Sequence, residues 1–359
     1  MDIYLTEGDF RKKAILDEWE SLIWTARYSA YGDFELKIKQ SKYFLGDLRN
    51  YQYVLMSESD VVMQIETTKV ERKTDEENIV VISGTSIESF LANRNNKTDA
   101  LREDQLLIGS SGYICNYLVD RYCINAGTAG AVNVIPNLIY DGAYPGDEYT
   151  MYVPRGDIYD LVKTIADMDG LGFKIRISNA QLVFTTYYGA DRTNHTAPNY
   201  RLYTPDDDTL LAPSLLESIA NYKNHARVLG NKTGVDVYSP GTEPTVSGFN
   251  RRTLLIEATD IGSAPDVDPS DEDYTTIEQD QAALRQRGWA ELAKLENKYQ
   301  RLIDGDIPQN MWDFTEFKLG DIVWVKDNFN HQTKNRIVEQ IWSVDKTGTK
   351  RNPTFELVN

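Results

Sequence analysis

The sequence predicts a multi-domain, mainly β protein with α+β insertions. Strict two-residue alternation appears near both ends of the chain. Around Gly32-Asp33, Leu22, Trp24, Ala26 and Tyr28 share one face, while Phe34, Leu36 and Ile38 oppose Glu35, Lys37 and Lys39. Such alternation, rich in aromatic and β-branched residues, marks half-buried strands. Helical periodicity is confined to a few stretches between the ends. The length, 359 residues, is enough for roughly two to four compact units.

Residues 1–95 read as a β unit. Gly32-Asp33 marks a turn or a sharp change of strand direction. Further strands are expected at 51–57, 61–70 and 78–83, the last two joined by a charged turn that limits edge pairing. A short helix at 86–94 closes the unit, with Thr85 and Glu88 at capping-box spacing. Strands closing on themselves with a short helix at one end predict a small barrel.

Residues 96–209 read as an α+β unit. Tyr113, Ile114, Tyr117, Leu118 and Tyr122 form a helical stripe, followed by a Gly/Ala/Pro-rich connection. Asp157 can cap a second helix carrying Ile158, Leu161, Val162, Ile165 and Met168, stopped by Gly170 and Gly172. Segments 173–177 and 182–187 read as a hairpin. Further on, strands are expected at 218–229 and 252–259 around a turn-rich loop at 230–250. Residues 263–309 hold an acidic loop and a helix at 276–299 whose stripe is Leu284, Trp289, Leu292, Leu295 and Tyr299. The tail returns to strands at 319–325, 336–345 and 354–358.

The formal net charge is −17. That disfavours gripping nucleic acid, which needs clusters of Lys and Arg to neutralise phosphates. It leaves open an acidic channel through which DNA slides, and most of the charge fits an ordinary solvated surface. The first residues have no basic region and no apolar core, so no secretory signal is expected. The longest clean apolar run, residues 79–82, is strand length, so no membrane insertion is expected. Cys115 and Cys123 would lie about 12 Å apart on one helix, too far for a disulfide, and read as free thiols.

No catalytic, cofactor or metal site is expected. The sequence has no phosphate-binding loop, no dinucleotide fingerprint, no nucleophile elbow and no zinc-protease helix. His195, His225 and His331 are scattered and make no zinc constellation with the two cysteines. Asp266, Asp268 and Ser270 match the first positions of a calcium loop. However, Asp271 stands where the turn glycine belongs and Ile277 where the bidentate glutamate belongs, so a solvated loop is the better reading. Asp206-Asp207-Asp208 reads as a solvated turn.

What remains is a set of structural signatures in a fixed order. They are Gly32-Asp33-Phe34-Glu35-Leu36, then Ile82-Ser83-Gly84-Thr85-Ser86-Ile87. Next come Tyr187-Tyr188-Gly189-Ala190-Asp191-Arg192-Thr193 and Ser218-Ile219-Ala220-Asn221-Tyr222-Lys223-Asn224. The last is Phe317-Lys318-Leu319-Gly320-Asp321-Ile322-Val323. Each alone is weak, but together and in this order the chain resembles the tail-tip hub proteins of siphophages, related in fold to the central hub of contractile baseplates.

The resemblance implies two tail-tube-like β-barrel domains, at 1–95 and at 210–262 with 310–359. The α+β unit at 96–209 and the insertion at 263–309 would be smaller decorating domains. It implies a homotrimeric ring in the virion that joins the sixfold tail tube to a threefold tip. Expected partners are the distal tail protein ring, the tube and tape measure protein, and receptor-binding or fibre proteins, with genomic DNA passing through unbound. The chain would be made in the host bacterial cytoplasm and have no enzyme activity. With the last barrel strand at its end, wall degradation would fall to another protein. Gly32, Asp33, Phe34, Gly189, Asp191, Arg192, Gly320 and Asp321 carry the family motifs, and Glu35, Glu66 and Glu71 are candidates for the lumen. The alternatives are an adhesin or carbohydrate-binding module and a cell-wall hydrolase.

Overall fold

The computed structural model describes all residues except 17–18, 40–51, 72–77, 97–104, 128–130, 154, 179–180, 240–243, 260, 264–267, 271–273, 294, 296–299, 309–315 and 359. Strand exceeds helix, and the strands fall into six sheets among the described residues.

The first eight strands are β1 (Ile3–Thr6), β2 (Lys12–Leu16), β3 (Trp19–Arg27), β4 (Asp33–Lys39), β5 (Tyr53–Met56), β6 (Val62–Gln64), β7 (Thr67–Glu71) and β8 (Ile79–Thr85). β2-β1-β5-β6 form one sheet, while β3-β4-β8-β7 belong to an eight-stranded one. The alternation seen in the sequence is what packs these layers. Leu22, Trp24, Leu36 and Ile38 meet Ile3, Leu5, Val54 and Met63 in a dry core. Residues 61–70 were expected to be one strand. Instead the chain switches sheets at Ile65-Glu66, so β6 pairs β5 and β7 pairs β8. A Cβ on Gly84 would collide with the Gln64 carbonyl, so β8 runs close against this crossover.

A 3-10 helix (Ile87–Asn93) leads to the mixed unit. Its elements are β9 (Gln105–Ser110), α1 (Ser111–Val119), β10 (Leu138–Tyr140), β11 (Glu148–Val153), α2 (Ile158–Asp169), β12 (Gly172–Ser178) and β13 (Gln181–Tyr187). Asp157 caps α2 by accepting from Asp160 N at 2.8 Å, and Gly170 ends it at φ +63°, as the sequence predicts. The capping box expected at Thr85 and Glu88 does not form. The Thr85 hydroxyl donates to Glu66, and the Glu88 carboxylate turns inward to accept from Ile175 N. Tyr113, expected on the buried stripe of α1, is outside; Ile114, Cys115, Leu118 and Val119 take the core side. A π turn, Asp120–Ile124, follows α1, and both cysteines are buried and free.

The last part comprises β14 (Leu202–Tyr203), β15 (Leu211–Ser218), β16 (His225–Leu229), β17 (Gly234–Tyr238), β18 (Thr253–Glu257), α3 (Ile277–Ala293), β19 (Gln300–Asp306), β20 (Ile322–Lys326), β21 (Gln332–Asp345) and β22 (Gly348–Leu357). The strand expected at 218–229 is broken between β15 and β16. β17 lies in what reads as loop, and β19 was not expected at all. β15 and β19 pair as a two-stranded ribbon. At its end β17-β16-β18 pack on α3 over a separate core of Ala226, Val228, Val237 and Leu284. Trp289, expected in the apolar stripe of α3, is 52% exposed, and Tyr299 lies outside the described residues.

The two closed barrels expected at the ends are not seen: among the described residues no sheet closes on itself. One edge of the long β21 pairs with β20 along its first half and with β3 along its second. Strands from both ends of the chain thereby join one sheet. Among the described residues no helix is long and apolar enough to cross a membrane.

Candidate functional site

Two of the motifs, those at 187–193 and 317–323, meet at Tyr28, which follows β3. Its hydroxyl lies 3.1 Å from the Gly170 carbonyl and 3.0 Å from that of Tyr187. Burial pushes its phenol above the ordinary value, which keeps it a donor. The ring fills space that only glycines leave, since a Cβ on Gly172 or Gly320 would come within 2.2 or 2.3 Å of it. Arg336 stacks over the ring at 5.2 Å. Tyr28 therefore ties the N-terminal strands to the mixed unit and to the C-terminal strands.

Two motifs distant in sequence lock together beside it. A Cβ on Gly189 would sit 1.9 Å from the Gly320 carbonyl carbon, so these two backbones touch. Asp321, 2% exposed, accepts from Ala190 N at 2.8 Å, Arg192 Nε at 2.7 Å and Lys318 N at 3.1 Å. Arg192 also donates to the Glu316 carbonyl and lies over the Phe317 ring. Asp191 turns its own loop by accepting from the hydroxyl and the N–H of Thr193; the hydroxyl bond, ahead of the backbone one, holds its carboxyl below the ordinary value.

The opening motif is structural in the same way. Gly32 is needed because a Cβ there would lie 2.1 Å from the Thr25 carbonyl. Asp33 pairs with Arg27, whose Nε reaches Glu339 of β21 at 2.6 Å. Phe34 is buried against Trp24.

Between these parts lies a cleft of about 700 Å³, lined by Arg27, Gly32, Glu88, Gly189, Arg192 and Asp321 among others. Several of its charges are paired: Arg192 with Asp321 and Lys174 with Asp60 inside the lining, and Arg27 with Asp33 and Glu339 outside it. The described lining holds no histidine or cysteine. The sequence places Glu88 in a capping box. Burial pushes its carboxyl above the ordinary value. Its place between Ile87 and Leu91 on a short apolar helix is the sequence signal that it points inward.

The histidines remain apart. His225 is buried with both ring nitrogens engaged, one by Thr253 at 3.0 Å and the other by Asp236 at 2.9 Å. A buried ring so occupied offers no atom to a substrate or metal. His331 pairs with Asp327 in the β20–β21 turn. In the acidic loop, Asp268 accepts from Ser270, and Asp266 and Asp271 lie outside the described residues. Among the described residues no three His, Cys, Asp or Glu side chains gather as metal ligands.

Of the lumen candidates, Glu35 and Glu66 border one shallow depression, and Glu71 sits at the end of edge strand β7. Glu35 is 3.1 Å from Lys37, Glu71 is 2.8 Å from Lys69, and Glu66 accepts from Thr85. The face that carries them is locally mixed in charge.

A profile of the family described as "Siphovirus ReqiPepy6 Gp37-like protein" matches residues 1–356. No curated protein matches the chain. Several solved structures share its fold. The tail protein from Neisseria meningitidis MC58 superposes with a TM-score of 0.57 at 12% identity, covering 100% of this chain and 96% of that one. The 43 kDa tail protein of prophage MuSo2 from Shewanella oneidensis gives 0.56 at 15% identity, covering 99% and 98%. The prophage tail protein gp18 from Listeria monocytogenes EGD-e gives 0.51 at 13% identity, covering 100% and 95%.

Proposed function

The chain belongs to the siphovirus ReqiPepy6 Gp37-like protein family, and from that membership we propose that it is a structural hub at the tail tip of a long-tailed phage. The observation that carries this reading is the whole-length match to a siphovirus family, joined to a fold shared end to end with three tail proteins. The locked junction around Tyr28 suits a passive part that must hold its shape under load.

In this reading three copies form a ring between the sixfold tube and a threefold tip. The layered strands of 1–95 and β20–β22 of 310–359 stand for two tail-tube-like barrels, completed across subunits in the assembled ring; β15–β18 of 210–262, expected in the second barrel, share no sheet with β20–β22 among the described residues. The unit at 96–209 decorates the outside, as does the unit from β16 to α3, which joins strands of 210–262 to the helix of 263–309. The distal tail protein, tube and tape measure protein, and fibre or receptor-binding proteins are its neighbours, and it is made in the host bacterial cytoplasm. DNA passes without specific binding. Because Glu35 and Glu71 stand beside lysines, Glu66 is the strongest of the three lumen candidates. The protein performs no catalysis.

Cryo-electron microscopy of the intact virion tests this. Three copies at the tail tip around a channel wide enough for duplex DNA are expected. Six copies, or density only on peripheral fibres, would overturn the hub reading, and a cleared band on a cell-wall zymogram would overturn the absence of catalysis.

A further inference from the structure

The outer face of α1 carries a cluster of tyrosines that the proposed hub role does not use. Tyr113 is 38% and Tyr144 46% exposed. Their rings meet edge to face at 5.4 Å, and Tyr117 lies 6.4 Å from Tyr113.

The cluster is held in advance of any contact. The Gly/Pro-rich strap that carries Tyr144 is tied down along its length. Gly112 N donates to the Pro145 carbonyl at 2.8 Å and Ser111 N to that of Asp147 at 3.1 Å. The Ser110 hydroxyl donates to the Tyr144 carbonyl at 3.0 Å, and Asn116 Nδ2 to that of Ala143 at 2.9 Å. Gly112 admits the strap, since a Cβ there would clash with Pro145. A rigid set of tyrosines loses little entropy on binding, which is why such sets make docking surfaces.

The charge around the rings says what docks. Residues 111–150 contain Asp120, Asp141, Asp147 and Glu148 against the single cation Arg121. The Asp120 carboxylate, ahead of Tyr144, is the main influence raising the Tyr140 phenol above its ordinary value. We propose that this tyrosine-lined, acid-rimmed face docks an arginine- and lysine-rich segment of another protein. Guanidinium groups would stack on the rings while the carboxylates draw them in. A pyranose would want a flat ring to lie on, and the Tyr113–Tyr144 pair, tilted 75°, presents a ridge. A second copy of the same face would bring like charges together.

The test uses the full chain and a fluorescent peptide of alternating arginine and glycine, followed by anisotropy. The wild type should bind, more weakly as salt rises, and a glutamate-glycine peptide should not. Tyr113→Ala with Tyr144→Ala should weaken binding roughly tenfold. Tyr113→Phe with Tyr144→Phe should restore most of it, because the ring faces remain. Matching thermal unfolding of the two double variants guards against a folding defect. Equal binding by the wild type and the alanine variant would reduce the attraction to net charge and overturn the proposal. So would binding of a soluble peptidoglycan oligosaccharide without binding of the arginine peptide.

Discussion

The Asp321 carboxylate satisfies two backbone N–H groups and the Arg192 guanidinium, whose side chain is 11% exposed. Asp321→Ala would leave that charge buried beside one carbonyl, a loss of about 3–5 kcal/mol. Urea unfolding should show it, and a loss below about 1 kcal/mol, typical of exposed pairs, would mean the two motifs are not locked by this bond. Glu88 gives a pH signature. Its folded pKa is raised by burial above the ordinary 4.5, so the folded chain holds the proton more tightly than the unfolded one. The stability tied to that proton is present below the unfolded value and lost as pH rises through the folded one. Glu88→Gln keeps an acceptor for Ile175 N and removes the titration. Its advantage over wild type in urea midpoint should therefore grow from acid toward neutral pH. A difference flat across that range would show that Glu88 holds its proton no more tightly in the folded chain than in the unfolded one. Sequence order picked out Gly189, Arg192, Gly320 and Asp321 as separate signatures, but nothing in it said that they touch. Tyr28 looked like one more core-facing residue of a strand.

Elements were legible where one buried face imposes its period on a long enough run. β3, β4, β8 and β21 fall close to their predicted places for that reason, and α2 shows both its cap and its stop. The misses have a common cause in tertiary structure. The break between β6 and β7 exists because two sheets compete for one apolar run, and the break between β15 and β16 exists because the chain leaves a ribbon to start a new sheet. β17 reads as loop because only Val235 and Val237 carry its alternation. The unit from β16 to α3 has its own core and leaves the rest of the chain on the β15–β19 ribbon. Its docking to the mixed unit is loose: a cavity of about 240 Å³ separates α2 from α3, and Gln286 bridges to the Thr150 carbonyl. A chain with Ser218, which pairs Gln300, joined to it by Asn-Gly should therefore fold without the insertion. Hydrogen exchange should find β3, β4 and β21 as protected as in the full chain. Loss of that protection would make the insertion part of one cooperative unit.

At the scale of the molecule, the formal charge of −17 governs how copies meet. Three subunits in a ring bring three times that charge together, and the repulsion opposes closure. The Debye length falls from about 30 Å at 0.01 M salt to about 8 Å at 0.15 M. Repulsion across a subunit contact is therefore strong in the first condition and mostly screened in the second. Apolar burial at the contact is not weakened by the same change. The trimer proposed for the virion should consequently be favoured by salt, and sedimentation velocity at fixed protein concentration should show the trimer fraction rising over this range. Docking of a basic segment on the α1 face should respond in the opposite sense, since there salt screens an attraction. The two associations can thus be separated in one titration. A trimer that falls apart as salt rises would mean that its contacts are ion pairs between unlike patches. The ring would then have to be held by cationic clusters such as Arg251 and Arg252 beside β18, instead of by strands paired across subunits.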